Sequence, residues 1–170
     1  MAEESSMEDE EMEIAFRLNG QAVRRRVPTR LHAVDMLREI FGLSGPRVAC
    51  EHGVCGACTL RVDNEIVRGC LLLAPQLEAA DVWTIEGLTA TGEIADLQAE
   101  FHARNAMQCG WCTAGMLITA AEILDAPAPM DRQAIREQLS GNYCRCTGYQ
   151  AIVDAVEATQ AKRLMARPSP

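Results

Sequence analysis

The chain of 170 residues is 48% hydrophobic and 24% charged, which allows one ordinary domain or two small ones and excludes the disordered and fibrous classes. Its net charge of −8 is concentrated at the start, where residues 1–13 hold seven acids (Glu3, Glu4, Glu8, Asp9, Glu10, Glu11, Glu13) and no base, leaving −1 for the rest. A nearly neutral body gives no electrostatic case for nucleic acid or an anionic membrane, and no apolar run approaches the ~20 residues that span a bilayer.

The opening "MAEESSMEDEEMEIAF" has no positive n-region, no apolar h-region and no twin-arginine motif, so a cytoplasmic location is expected. Residues 1–12 read as an acidic, disordered tail, with a docking role as the alternative. "EIAFRLNGQAVRRRV" then reads as a hairpin, with Ile14, Phe16 and Leu18 alternating and Asn19-Gly20 supplying the turn. Pro28 and Thr29 end the returning strand. "LHAVDMLREIFG" carries Leu31, Val34, Leu37 and Ile40 at helical spacing, with Gly42 placed to close the helix. A cysteine-rich loop follows. "TLRVDNEIVRGC" is a second hairpin turning at Asp63-Asn64, and "VWTIEGL" is a last short strand. Together these elements predict a small β-grasp sheet.

From residue 93 the period changes. "EIADLQAEFHARNAM" places Ile94, Leu97, Phe101 and Met107 on one side of a helix. "TAGMLITAAEIL" is apolar nearly all round, which predicts burial on more than one side and suits a chain covered by a partner. Residues 126–129 break the pattern, Asp131 can cap "RQAIREQL", and Thr147 can cap "GYQAIVDAVEATQAKR". The second half is therefore expected to be a bundle of about four helices. "TATG" at 89–92 marks the boundary, giving units 13–88 and 93–163 and a frayed end over 164–170.

The eight cysteines divide at that boundary. Cys50, Cys55, Cys58 and Cys70 give C-x4-C-x2-C-x11-C; Cys109, Cys112, Cys144 and Cys146 give C-x2-C-x31-C-x-C. Without a secretory signal, clustered thiols point to metal and not to disulfides. Four thiolates are the ligand set of one iron–sulfur cluster or one structural zinc. The first spacing is that of a plant-type [2Fe–2S] loop. Gly53 and Gly56 let such a loop adopt positive φ and aim backbone N–H groups at an anion that accepts an electron. A four-cysteine zinc site is usually built from two C-x2-C hooks, and three ligands within nine residues fit it poorly. In the second quartet "QCGWC" is a good hook but "CRC" is unusual for zinc. On spacing alone, that quartet suits zinc and iron–sulfur about equally.

"CEHGVCGACTL", "QCGWCTAGM" and "GNYCRCTGYQAIVDAV" resemble the signature segments of the small iron–sulfur subunit of the molybdenum hydroxylases, the xanthine dehydrogenase family. The likeness spans roughly residues 13–160 and is greatest to prokaryotic three-subunit members such as carbon monoxide dehydrogenase and quinoline 2-oxidoreductase. It implies an α+β chain, with an N-terminal β-grasp, plant-type ferredoxin-like domain followed by an all-α four-helix bundle domain. It implies that Cys50, Cys55, Cys58 and Cys70 hold an outer [2Fe–2S] cluster nearer a flavin subunit. Cys109, Cys112, Cys144 and Cys146 would hold an inner one. Gln108 matches the family glutamine that hydrogen-bonds the pterin, and Cys146 the ligand that approaches the pterin amino group. The implied function is electron relay from a molybdopterin centre through two [2Fe–2S] clusters to FAD. The implied partners are a large molybdopterin subunit and a medium FAD subunit, in a heterohexamer with two copies of each chain. Two positions depart from the pattern: Ala114 stands where proline is usual, and Gly69 where serine is common.

The remaining candidates read more plainly. His52 lies in the cluster loop, where four thiols already suffice, and His32 and His102 lie in helical patterns without partners at ligand spacing. Trp111 reads as ordinary packing, with shielding of a cluster or a place near an electron path as its functional alternative. Arg145, between Cys144 and Cys146, is placed to make a polar contact, either offsetting cluster charge or pairing with a neighbour. No phosphate loop, nucleophile–base pattern or dinucleotide fingerprint is present, so the chain carries no visible substrate chemistry. The rival readings are a free-standing ferredoxin-like carrier, which leaves the helical half unexplained, and a two-zinc interaction module.

Overall fold

The computed structural model describes residues 10–166. Strands β1 (Glu11–Leu18) and β2 (Gln21–Pro28) pair antiparallel along their whole length, from Glu11 opposite Pro28 to Leu18 opposite Gln21. Asn19 (φ 51°) and Gly20 (φ 82°) form the turn, the left-handed pair that a two-residue hairpin requires. Ile14, Phe16 and Leu18 point into the core, as their alternation predicts.

β1 begins inside the segment expected to be a disordered tail. Glu11 pairs with Arg26 and Glu13 with Arg24, each at 2.8 Å, so these acids are cross-strand partners of the arginines of β2. Such exposed pairs contribute about 0–1 kcal/mol each. The tail expectation for residues 1–9 falls outside the described residues.

The helix expected from Leu31 to Ile40 is shorter and irregular. Helix α1 (Ala33–Asp35) widens into a turn over Met36–Ile40, where the Phe41 N–H bonds the Met36 carbonyl at 3.3 Å. The wide turn shifts the helical period, so Ala33, Val34, Met36 and Leu37 are buried while Ile40 is 39% exposed. Leu31 precedes the helix.

Strands β3 (Thr59–Val62) and β4 (Glu65–Arg68) form the second hairpin, with Asp63 and Asn64 at positive φ. β5 (Asp81–Trp83) lies parallel to β1 and antiparallel to β3, completing a five-stranded sheet in the order β2-β1-β5-β3-β4. The last strand is shorter than "VWTIEGL". Asn19 Oδ1 accepts the Thr84 N–H at 2.8 Å, which ends the ladder, and helix α2 (Ile85–Thr91) starts at once. Leu88 of α2 packs with the helical half.

That half continues with α3 (Ala95–Ala103), α4 (Thr113–Asp125), α5 (Arg132–Leu139) and α6 (Gln150–Ala166). Four longer helices thus follow the short α2, matching the helical domain that the sequence implies. Asp131 caps α5 as expected, accepting the Ala134 N–H at 2.8 Å. Met107, by contrast, lies beyond the end of α3 and is 36% exposed. α6 continues to Ala166, through the first residues of the segment expected to fray.

Two apolar cores flank the sheet. One face packs Ile14, Phe16, Leu18, Leu60 and Val82 against Ala33 of α1 and against Met36 and Leu37 of the wide turn that follows it. The other presents Ile66 and Trp83 to the helical core around Leu97, Phe101, Met116, Ile135 and Val153. α4 is the centre of that core and touches β3, β4, α2, α3, α5 and α6. Its all-round apolarity is therefore satisfied within the chain and does not itself call for a partner. Among the described residues no helix is long and apolar enough to cross a membrane.

Candidate metal centres

The outer quartet is built from one loop and one strand end. Cys50, Cys55 and Cys58 lie on the loop between the α1 region and β3, and Cys70 follows β4. Cys58 and Cys70 are buried against Val34 and Val48, and their thiols interact. Cys50 and Cys55 are half-buried and interact in the same way. The Cys50 sulfur accepts the N–H groups of Cys55 and His52, both at 3.4 Å, and these bring its thiol down to about 6. Burial pushes the Cys58 thiol up to about 12. One end of the quartet thus stabilises a thiolate unaided, whereas the other needs a cation to offset the loss of solvent. A side chain at Gly69 would bring its Cβ within 2.9 Å of Leu60 Cδ1 and 3.2 Å of Val34, which leaves little room for the serine common there.

The inner quartet is assembled from two distant segments. Cys109 and Cys112 approach α4, with Cys112 as its N-cap, where the Met116 N–H bonds the Cys112 carbonyl at 2.9 Å. The helix starts cleanly although Ala114 replaces proline. Cys144 and Cys146 lie on the loop between α5 and α6. The thiol of Cys112 meets that of Cys144, and the thiol of Cys109 meets that of Cys146. Burial, followed by the neighbouring Cys144, pushes the Cys112 thiol up to about 12. Burial also acts upward on Cys144, but the Thr147 hydroxyl and the N–H groups of Thr147 and Cys146 outweigh it and leave that thiol below its ordinary value.

Thr147 therefore does not cap α6. Its hydroxyl donates to the Cys144 sulfur at 3.1 Å and accepts the Tyr149 N–H at 3.2 Å, while α6 begins only at Gln150. The Tyr149 hydroxyl turns back to accept the Cys144 N–H at 2.9 Å and donates to the Asn142 carbonyl at 3.1 Å.

The two cysteine loops touch. The Tyr143 N–H donates to the Cys55 carbonyl at 2.8 Å. Asn142, 1% exposed, donates to the Gly56 carbonyl (3.1 Å) and the Thr59 hydroxyl (3.3 Å) and accepts from the Thr119 hydroxyl (3.0 Å). Arg68 bonds the Gly141 carbonyl at 2.8 Å and also the Thr59 hydroxyl. The fit depends on missing side chains. A Cβ on Gly56 (φ +72°) would stand 2.6 Å from the Gly141 oxygen, and one on Gly115 would stand 2.2 Å from the Gly56 oxygen. Sequence reasoning did not identify Asn142 or Tyr149 as site residues. Their only signal was their place in "GNYCRCTGYQ".

Trp111 does not pack in the core. It is 47% exposed, with the Arg47 guanidinium 5.1 Å over its ring, a surface clasp between the two cysteine segments. Gln108 and Cys146 are brought together: the Gln108 side-chain amide donates to the Cys146 carbonyl at 3.1 Å. Cys109 and Cys146 are exposed, and so are Met107, Trp111 and Tyr143, which lie close to these cysteines in sequence. His52 contributes its backbone N–H to the outer loop, and His32 bridges to Leu73 through its backbone.

Among the described residues no three His, Cys, Asp or Glu side chains gather as a single metal ion would require. The thiols, all free, interact most strongly in pairs, Cys50 with Cys55, Cys58 with Cys70, Cys112 with Cys144, and Cys109 with Cys146, and more weakly between pairs, Cys55 with Cys58, Cys109 with Cys112 and Cys144 with Cys146.

Comparison with known proteins assigns both halves. Residues 16–85 match the 2Fe-2S iron-sulfur cluster binding domain, and residues 84–157 the [2Fe-2S] binding domain. The gamma subunit of caffeine dehydrogenase from Pseudomonas sp. (strain CBB1) is 45% identical over 148 residues, covering 85% of this chain and 89% of that one. The small subunit of nicotine 6-hydroxylase from Paenarthrobacter nicotinovorans is 45% identical over 145 residues, covering 85% and 87%. The structure of quinoline 2-oxidoreductase from Pseudomonas putida 86 superposes with a TM-score of 0.83 at 42% identity, covering 93% of this chain and 99% of the matched chain. This chain belongs to the small [2Fe–2S] subunits of the molybdenum hydroxylases. Like other small subunits of this family, it is an electron-transfer component of an oxidoreductase, and the ferredoxin-like domain followed by a helical domain is the family architecture.

Proposed function

We propose that Cys50, Cys55, Cys58 and Cys70 bind an outer [2Fe–2S] cluster, and that Cys109, Cys112, Cys144 and Cys146 bind an inner one. The observation that carries this reading is the gathering of each quartet's four thiols, with the strongest contacts made two by two. Two irons bridged by sulfides take two thiolates each, whereas a lone zinc needs four to converge. On this reading Cys50 and Cys55 share one iron and Cys58 and Cys70 the other. The inner pairs are Cys112 with Cys144 and Cys109 with Cys146. Each cluster, when bound, accepts and passes on a single electron. The chain's own residues supply thiolates, N–H donors to the sulfurs and a closed seam between the loops.

The two cluster-binding units, read from the sequence as 13–88 and 93–163, are better divided between β5 and α2, since Leu88 of α2 packs into the helical core. The exposed end of the inner quartet, with Gln108, Cys146, Met107 and Trp111, faces a large molybdopterin subunit. Gln108, already bonded to the Cys146 backbone, is placed to hold the pterin edge near that ligand. Exposed Val54 and Leu71, beside the outer loop, face a medium FAD subunit. Electrons run from the molybdopterin side through the inner and then the outer quartet to FAD. The assembly is a heterohexamer with two copies of each subunit, in the cytoplasm, where the eight thiols stay reduced until loaded.

Anaerobic purification of the native complex tests this. About four irons per copy of this chain and two distinct S = 1/2 signals on reduction are expected for two [2Fe–2S] centres, with molybdenum and flavin in the same peak. A colourless, zinc-loaded chain would refute the cluster assignment. A monomer without molybdenum or flavin that still exchanges electrons rapidly would refute the subunit reading.

A further inference from the structure

We infer that the Thr147 hydroxyl sets the reduction potential of the inner cluster, holding it above the value that backbone donors alone would give. This rests on the assignment of Cys109, Cys112, Cys144 and Cys146 to one [2Fe–2S] cluster. The direction of the hydrogen bond follows from its partners. Thr147 Oγ1 accepts the Tyr149 N–H at 3.2 Å, which leaves its own proton to point at the Cys144 sulfur 3.1 Å away. An iron-bound thiolate has no proton to give, so the hydroxyl must donate.

The surrounding loop is shaped to keep this bond. Gly148 (φ +63°) and Tyr149 (φ +67°) both adopt the left-handed conformation, which is unusual for an aromatic residue and persists only where neighbours enforce it. Here the enforcement comes from both ends of Tyr149. Its N–H orients the Thr147 hydroxyl, and its phenol accepts the Cys144 N–H and donates a hydrogen bond to the Asn142 carbonyl.

Reduction adds one electron to the cluster and makes its sulfurs more negative. A donor to a sulfur therefore stabilises the reduced form more than the oxidised form, which raises the potential. Thr147 is a positioning residue in this sense: it binds no substrate and holds no iron, but it biases where the electron rests. The donors to Cys50 in the outer loop are backbone N–H groups of Cys55 and His52, which side-chain substitution does not remove. The inner cluster thus has a tuning side chain that acts on it separately.

The test is a potentiometric EPR titration of the intact complex carrying Thr147→Val, Thr147→Ala or Thr147→Ser. Thr147→Val and Thr147→Ala should lower the inner midpoint so that electron sharing shifts about fivefold toward the outer cluster, about 40 mV at 59 mV per tenfold for one electron. The outer midpoint should not move, and Thr147→Ser should stay close to wild type. An unchanged inner midpoint in Thr147→Val, or equal shifts in Thr147→Ser and Thr147→Val, would overturn the inference. So would loss of the inner signal in both Thr147→Val and Thr147→Ala, which would make the residue an assembly element. Absence of an inner signal in the wild-type complex would instead count against the cluster assignment.

Discussion

The two quartets solve one problem by different means. The outer site places three of its ligands within nine residues of a single loop, and the Cys50 sulfur is held by backbone N–H groups. The inner site joins the N-cap of α4 to the loop before α6, and is scaffolded by the side chains of Thr147 and Tyr149. A site that one loop can close by itself needs little from the rest of the fold. A site assembled from segments far apart in sequence depends on helix packing and on side chains that hold its two halves in register.

The largest test of this contrast is to remove one ligand from each site. Cys55→Ser should abolish or distort the outer EPR signal and spare the inner one, because the Cys55 carbonyl that accepts the Tyr143 N–H remains. Cys112→Ser should do the reverse. Loss of both signals from either variant, with the far-ultraviolet spectrum intact, would mean that the sites load as a single unit.

A smaller effect is expected at the seam. Asn142→Ala leaves the buried Thr119 hydroxyl without its acceptor and takes one donor from the Gly56 carbonyl, which keeps the Thr59 N–H and hydroxyl, at a cost of about 1–3 kcal/mol. Urea unfolding followed by cluster absorbance should show that loss, with both sites released at lower denaturant. An unchanged midpoint would show that Arg68 and the Tyr143–Cys55 bond hold the loops without the amide.

The smallest effect is at the surface clasp. Trp111→Leu removes the Arg47 contact, worth about 0.5–1 kcal/mol at an exposed position. Thermal unfolding should shift only slightly and both EPR signals should be unaltered. A marked change in the inner signal would place Trp111 in contact with the cluster environment.

The same contrast explains what could be read from the residues alone. Both hairpins were legible because Asn19-Gly20 and Asp63-Asn64 carry their turn conformations locally. The Asp131 cap and the α4 helix were legible for the same reason, and so was the iron-type spacing of the outer loop. The wide turn after α1 was hidden because a spacing pattern assumes a constant period, and this helix does not keep one. Thr147 precedes a helical run and so resembled a cap; only the folded loop brings it to the Cys144 sulfur. Asn142 carries no local signal because its partners on the outer loop, β3 and α4 are distant in sequence.

Gly56 passes so close over Gly115, with Asn142 sealed beside them, that no layer of water fits between the outer loop and the first turn of α4. The medium across this seam is peptide and buried amide. A charge placed on one side is screened there less than it would be across solvent. For the two clusters proposed here, filling either one with an electron makes the other harder to fill. A reductive titration should therefore follow a pair of interacting centres, with midpoints that belong to the pair.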